Sequence, residues 1–179
     1  MGEGAGYLRE ETFMCNALER HHDMVYRFAL SQMRSTDDAQ DVAQEVFIKL
    51  LTETRAFKSE EHLRAWLLRV TLNRCRDLFR QVWRQRVNMQ ESMERVMGGV
   101  PDSDPAELVC HPVWEALSHL KEEDRAVIHL RYVEELSISE TAAVIGCGDE
   151  AARTRIRRAR ERLRREMLEM ESRHEEEGK

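Results

Sequence analysis

The sequence predicts an all-α protein of two small helical domains joined by a flexible linker. Three observations carry this. Proline occurs three times and glycine eight times in 179 residues, so few positions interrupt a helix. Apolar residues recur at i, i+3, i+4, i+7 along both halves of the chain. One stretch, residues 88–111, collects Gly98, Gly99, Pro101, Asp102, Asp104 and Pro105, the composition of a linker.

The elements follow in order. Residues 1–12 form an N-terminal tail, and 13–87 the first domain. A helix from about Phe13 to Arg34 has Leu18, Val25, Phe28 and Ala29 on one stripe. Ser35-Thr36-Asp37-Asp38 offers a turn and an N-cap. The next helix, from about Ala39 to Thr52, carries Val42, Val46, Ile48, Leu50 and Leu51 as its apolar set. Asp38, Asp41, Gln44 and Glu45 supply its acidic, polar face. A short polar segment holds a lone aromatic, Phe57, which either packs under the loop or stacks on a base. A long helix follows from about His62 to Arg86. Leu63, Trp66, Leu67 and Val70 lie on its apolar side, then Cys75, Leu78, Phe79 and Val82. Arg64, Arg69, Arg74, Arg76, Arg80, Arg84 and Arg86 make its other face basic.

The second domain spans 112–168. Val113, Leu117 and Leu120 share a helix face, and a second helix runs from about Glu122 to Tyr132. Ser137-Ile138-Ser139-Glu140 is a capping box that opens a short helix. Gly146-Cys147-Gly148 is a tight turn, and a last helix runs from about Asp149 to Met170. Short helix, glycine turn and basic helix together form a helix-turn-helix pattern. Residues 169–179 form an acidic tail.

The net charge of −6 argues against nucleic acid only until its distribution is considered. From Arg153 to Arg165 there are eight arginines and one acid; from Glu166 to Lys179 there are six acids and two bases. A solvated helix normally mixes both signs at i, i+4 spacing. A nearly pure arginine block after a helix-turn-helix points to DNA, because guanidinium forks match phosphates and guanine edges.

Other classes are disfavoured. No run of about 18 apolar residues spans a membrane, and the start, MGEGAGYLREETF, lacks the pattern of a secretory signal. A cytoplasmic protein with reduced thiols is expected, since Cys15, Cys75, Cys110 and Cys147 form no C-x-x-C pair. His21 and His22 point apart on a helix, and Cys110-His111 lacks two further ligands, so no metal site and no catalytic residue are assigned. A stand-alone helix-turn-helix repressor remains as an alternative; it predicts operator binding without a polymerase.

DDAQDVAQEVFIKLL (Asp37 to Leu51) and HLRAWLLRVTLNRCRDLFR (His62 to Arg80) resemble region two of the sigma-70 family. ALSHLKEEDRAVIHLRYVEELSISETAAVIG (Ala116 to Gly146) with ARTRIRRARERLR (Ala152 to Arg164) resembles region four. Their order and short linker resemble the extracytoplasmic-function group of RNA polymerase sigma factors. The resemblance implies a specificity subunit with no chemistry of its own, no cofactor and no small-molecule substrate. It implies core RNA polymerase as partner, through the β′ coiled coil and the β flap, with promoter DNA and an anti-sigma factor. It also implies target genes of stress or envelope response. Asp41, Gln44 and Glu45 correspond to the face that grips the coiled coil. Phe57, Asn73, Arg76 and Arg80 correspond to the −10 element surface, with Phe57 at the loop that captures a flipped base. Arg153, Thr154, Arg157 and Arg158 sit at the reading positions for the −35 element. Gly148-Asp149-Glu150-Ala151 departs from the family pattern: Gly148 is a weak cap, and Asp149 and Glu150 repel phosphate but can accept from cytosine N4.

Overall fold

A computed structural model describes residues 10–88 and 112–177, with side chains over 10–81 and 113–173. The linker expected at 88–111 therefore falls almost wholly outside the described residues. The described chain is helical, without strands, and falls into two compact units.

The first unit packs three helices: α1 (Glu11–Met33), α2 (Thr36–Thr52) and α3 (Glu60–Asn88). α1 gives way to α2 where Ser35 takes extended backbone and its hydroxyl accepts from the Asp38 N–H, as the N-cap chemistry predicts. Asp37 and Asp38 occupy the first turn of α2, where the helix dipole favours acids. α1 buries Ala17, His21, Met24, Val25, Phe28 and Ala29; α2 buries Val42, Val46 and Leu50; α3 buries Leu63, Trp66, Leu67, Val70, Leu72 and Cys75. His21 is a buried polar member of this core, and its Nε2 lies 2.7 Å from Oε1 of Glu60.

Two residues expected in the core are not there. Leu18 is 39% exposed because it sits at the edge of the α1 arc centred on Ala17, Met24 and Phe28. Ile48 is 53% exposed because it lies on the side of α2 opposite Val42, Val46 and Leu50. Leu51 is half-buried, as are Leu78 and Phe79 on α3, and Val82 lies outside the described side chains.

The second unit contains α4 (Pro112–His119), α5 (Glu122–Ile128), a π-helical turn (His129–Val133), α6 (Ile138–Ile145) and α7 (Asp149–Glu177). The single helix expected from Glu122 to Tyr132 thus widens into a π turn at His129. There the Glu134 N–H reaches back to the His129 carbonyl. Two buried polar groups mark the place: His129 Nε2 and Glu134 Oε1 lie 3.3 Å apart, both sealed from solvent. The chain then reverses at Glu135, in the left-handed region at φ +54°, and Leu136 is buried behind it.

α7 packs on α4, α5 and α6. It does not end at Met170 as the sequence suggested. It continues to Glu177, and Met170 is 5% exposed, so the first turns of the expected acidic tail belong to the packed helix.

Candidate partner and nucleic-acid interfaces

On α2, Asp41, Gln44 and Glu45 are all exposed. With about 3.6 residues per turn, Ile48 completes their i, i+3, i+4, i+7 stripe. An acidic face with one exposed apolar residue thus lies opposite the buried Val42, Val46 and Leu50. Sequence reasoning missed Ile48 because it was counted as core; its position seven residues after Asp41 was the available signal.

Glu45 is also engaged within the chain. Nη2 of Arg74, on α3, donates to its Oε1 at 2.7 Å, and Nε of Arg74 pairs with its Oε2. This carboxylate, ahead of the opposing desolvation, holds the Arg74 guanidinium above its usual proton affinity.

The segment between α2 and α3 is pinned at both ends. The Arg55 N–H donates to Oε1 of Glu53 at 3.0 Å, and Ser59 Oγ accepts from the His62 N–H at 3.2 Å. Phe57 between them is half-buried. Its ring lies nearly parallel to Phe13, with centroids 6.4 Å apart. It meets His62 and Trp66 edge-on, each at 5.5 Å. Phe57 thus packs in an aromatic cluster with Phe13, His62 and Trp66, and Trp66 is part of the core. The spacing also connects this cluster to the basic helix. His62, Trp66, Arg69, Asn73, Arg76 and Arg80 follow at alternating steps of four and three, which places them along one side of α3. Asn73 and Arg80 are exposed and Arg76 is half-buried. Arg80 pairs with Asp77 at 3.3 Å. Arg69, also exposed, belongs to the stripe by spacing, although sequence reasoning gave it no site role.

In the second unit, the capping box forms as expected. The Glu140 N–H donates to Ser137 Oγ at 3.2 Å, and the Ser137 N–H donates to Glu140 Oε2 at 2.8 Å. α6 ends at Gly146, whose φ of +77° suits a residue without a side chain. The Gly146 and Cys147 N–H groups both donate to the Ala142 carbonyl, which completes the turn. Ser139 at the start of α6 then donates to Asp149 Oδ2 at the start of α7, 2.5 Å away. That bond ties together the two helices of the helix-turn-helix.

Ala152, Ile156 and Ala159 form the buried spine of α7. Arg153, Arg157 and Arg158 are exposed and Thr154 is half-buried. Arg160, exposed as well, extends the stripe of Arg153 and Arg157 along the helix. The arginine block is not uniform in role. Arg162, itself exposed, pairs with the buried Asp124 of α5. Glu166 lies 3.4 Å from His119 of α4. The departure at the start of α7 is partly answered inside the chain: Asp149 accepts from Ser139, and Glu150 pairs with Arg153 at 3.0 Å.

Among the described residues, no three His, Cys, Asp or Glu side chains gather as a metal site. No described helix is long and apolar enough to cross a membrane. Cys110 and His111 lie outside the described residues.

A helix-turn-helix unit with an arginine stripe, in a chain that also carries a separate three-helix unit, defines a helical DNA-binding protein. The Sigma-70 region 2 model matches residues 17–85, and the Sigma-70, region 4 model matches residues 110–163. The chain is 35% identical over 137 residues to the RNA polymerase sigma factor CnrH of Cupriavidus metallidurans, covering 70% of this chain and 71% of the relative. It is 26% identical over 154 residues to the RNA polymerase sigma factor SigV of Bacillus subtilis, covering 86% and 90%. The sigma factor RpoE of Bartonella quintana, in a co-crystal with the anti-sigma factor NepR, superposes with a TM-score of 0.72 at 25% identity, covering 89% of this chain and 98% of that one. The chain belongs to the sigma-70 family of RNA polymerase sigma factors, in its extracytoplasmic-function group.

Proposed function

We propose that this sigma factor docks on core RNA polymerase through Asp41, Gln44, Glu45 and Ile48, and reads promoters through its two basic faces. The α3 stripe with Phe57 serves the −10 element and its melting. Arg153, Thr154, Arg157 and Arg158 serve the −35 element. The observation that carries this reading is the division of labour within the first unit: α2 presents an acidic face and α3 a basic stripe. An acidic face suits the basic coiled coil of a protein partner, and a basic stripe suits phosphate. The chain supplies specificity while the polymerase performs the chemistry, which places both in the cytoplasm. Because the Bartonella quintana relative is bound to an anti-sigma factor, a partner of that kind belongs to this reading. Stress or envelope-response genes are the expected targets.

Glu45→Lys tests the docking face. It sets a cation toward a basic partner, where like charges cost several kcal/mol, so affinity for core should fall by about tenfold or more. Glu45 is exposed and Arg74 half-buried, so losing the pair and setting a lysine beside Arg74 should lower the melting temperature only modestly. Glu45→Gln serves as the control without charge repulsion. Titration of labelled full chain with core polymerase measures the effect; an unchanged dissociation constant contradicts the assignment.

A further inference from the structure

Glu45 is the member of the α2 face whose carboxylate is already held. Arg74 lies against both of its oxygens: Nη2 donates to Oε1 at 2.7 Å, and Nε forms an ion contact with Oε2 without a hydrogen bond. We propose that Arg74 is a positioning residue for the polymerase interface: its guanidinium, through one hydrogen bond and one ion contact, sets the orientation in which Glu45 meets the partner. The proposal rests on the reading of the α2 face as the docking surface.

Three features support it. A charge-assisted hydrogen bond from Nη2, with Nε lying against the second oxygen, restrains the carboxylate more than solvent does. A carboxylate has about four acceptor sites, so sites remain for a partner after Arg74 is engaged. The glutamate side chain is 47% exposed and the arginine side chain 28%, so the acid stays accessible with the cation more covered. Ordering a free glutamate on binding costs side-chain entropy, and a side chain already ordered avoids much of that cost. Arg74 also follows Asn73 directly, which turns it about 100° away from the Arg69–Asn73–Arg76–Arg80 stripe and toward α2. Asp77 is a further anion near it, and Glu45 dominates the rise in its proton affinity.

A double-mutant cycle on the full chain with core polymerase tests this. The set is Arg74→Ala, Arg74→Lys, Glu45→Gln and the Glu45→Gln/Arg74→Ala pair. Arg74→Ala should weaken core binding by about fivefold, the fold-change for a coupling of about 1 kcal/mol. Arg74→Lys should remain impaired, because an ammonium is a point charge and lacks the planar group that holds Nη2 on Oε1 while Nε lies against Oε2. In the Glu45→Gln background, Arg74→Ala should add nothing further. Melting temperatures should stay near that of the parent, and promoter opening at saturating core should be normal. Additive losses, or full rescue by lysine, overturn the proposal. So does a loss of binding that merely follows a lower melting temperature. Defective opening at saturating core makes Arg74 a DNA contact instead. If Glu45→Gln itself leaves core binding unchanged, the docking-face reading fails, and this proposal fails with it. If Glu45→Gln weakens binding and Arg74→Ala does not, the positioning role alone fails.

Discussion

Replacing Arg157 and Arg158 together by alanine should reduce transcription from a −35-dependent promoter by about a hundredfold. Arginines that reach base edges contribute about 1–3 kcal/mol each, and two together span roughly thirtyfold to far more. Both side chains are exposed on α7, away from the buried Ala152, Ile156 and Ala159, so the fold should be unaffected. Arg162→Ala should behave in the opposite way. Its loss leaves Asp124, buried at 4% exposure, without its cation, so the unit should destabilise without a change in sequence preference. Footprinting the upstream element with reconstituted holoenzyme separates the two effects. Full protection by the Arg157/Arg158 double variant contradicts the assignment of that face.

The second large effect concerns Phe57. Its ring is already in contact with Phe13, His62 and Trp66, so truncation removes packing as well as any contact with a base. Two substitutions separate these contributions. Phe57→Leu retains apolar volume against Trp66 but offers no aromatic face. Phe57→Ala removes both. Stacking on a base contributes about 1–3 kcal/mol, so both variants should lose about tenfold or more in open-complex formation if the ring takes part in base capture. Permanganate reactivity of the promoter bubble measures this. Parental reactivity in Phe57→Leu with a loss in Phe57→Ala would make Phe57 a packing residue of the loop.

Much of this architecture is legible in the sequence because it rests on local chemistry. Ser35, the Ser137–Glu140 box and Gly146 each satisfy or terminate a helix end with groups a few residues apart. What was not legible depends on partners distant in the chain. Nothing within the arginine block marks Arg162 as the partner of a buried acid, because Asp124 lies 38 positions away. The Glu45–Arg74 pair joins residues 29 apart. The π turn at His129 coincides with a contact between His129 and Glu134, two buried polar residues whose pairing is set by the fold. Ile48 has the composition of a core residue, and only its angular position on α2 sets it with Asp41, Gln44 and Glu45. The acid-rich end of α7 has the composition of a solvated tail, yet Met170 is buried within it.

The central claim is that this chain confers promoter choice on a polymerase that lacks it. Run-off transcription with purified core polymerase over genomic promoter fragments tests that claim most directly. Discrete transcripts should appear only when the chain is added, and should disappear with Glu45→Lys or the Arg157→Ala/Arg158→Ala pair. Absence of chain-dependent start sites, together with tight polymerase-independent binding to a palindromic operator, would contradict it and identify a stand-alone regulator.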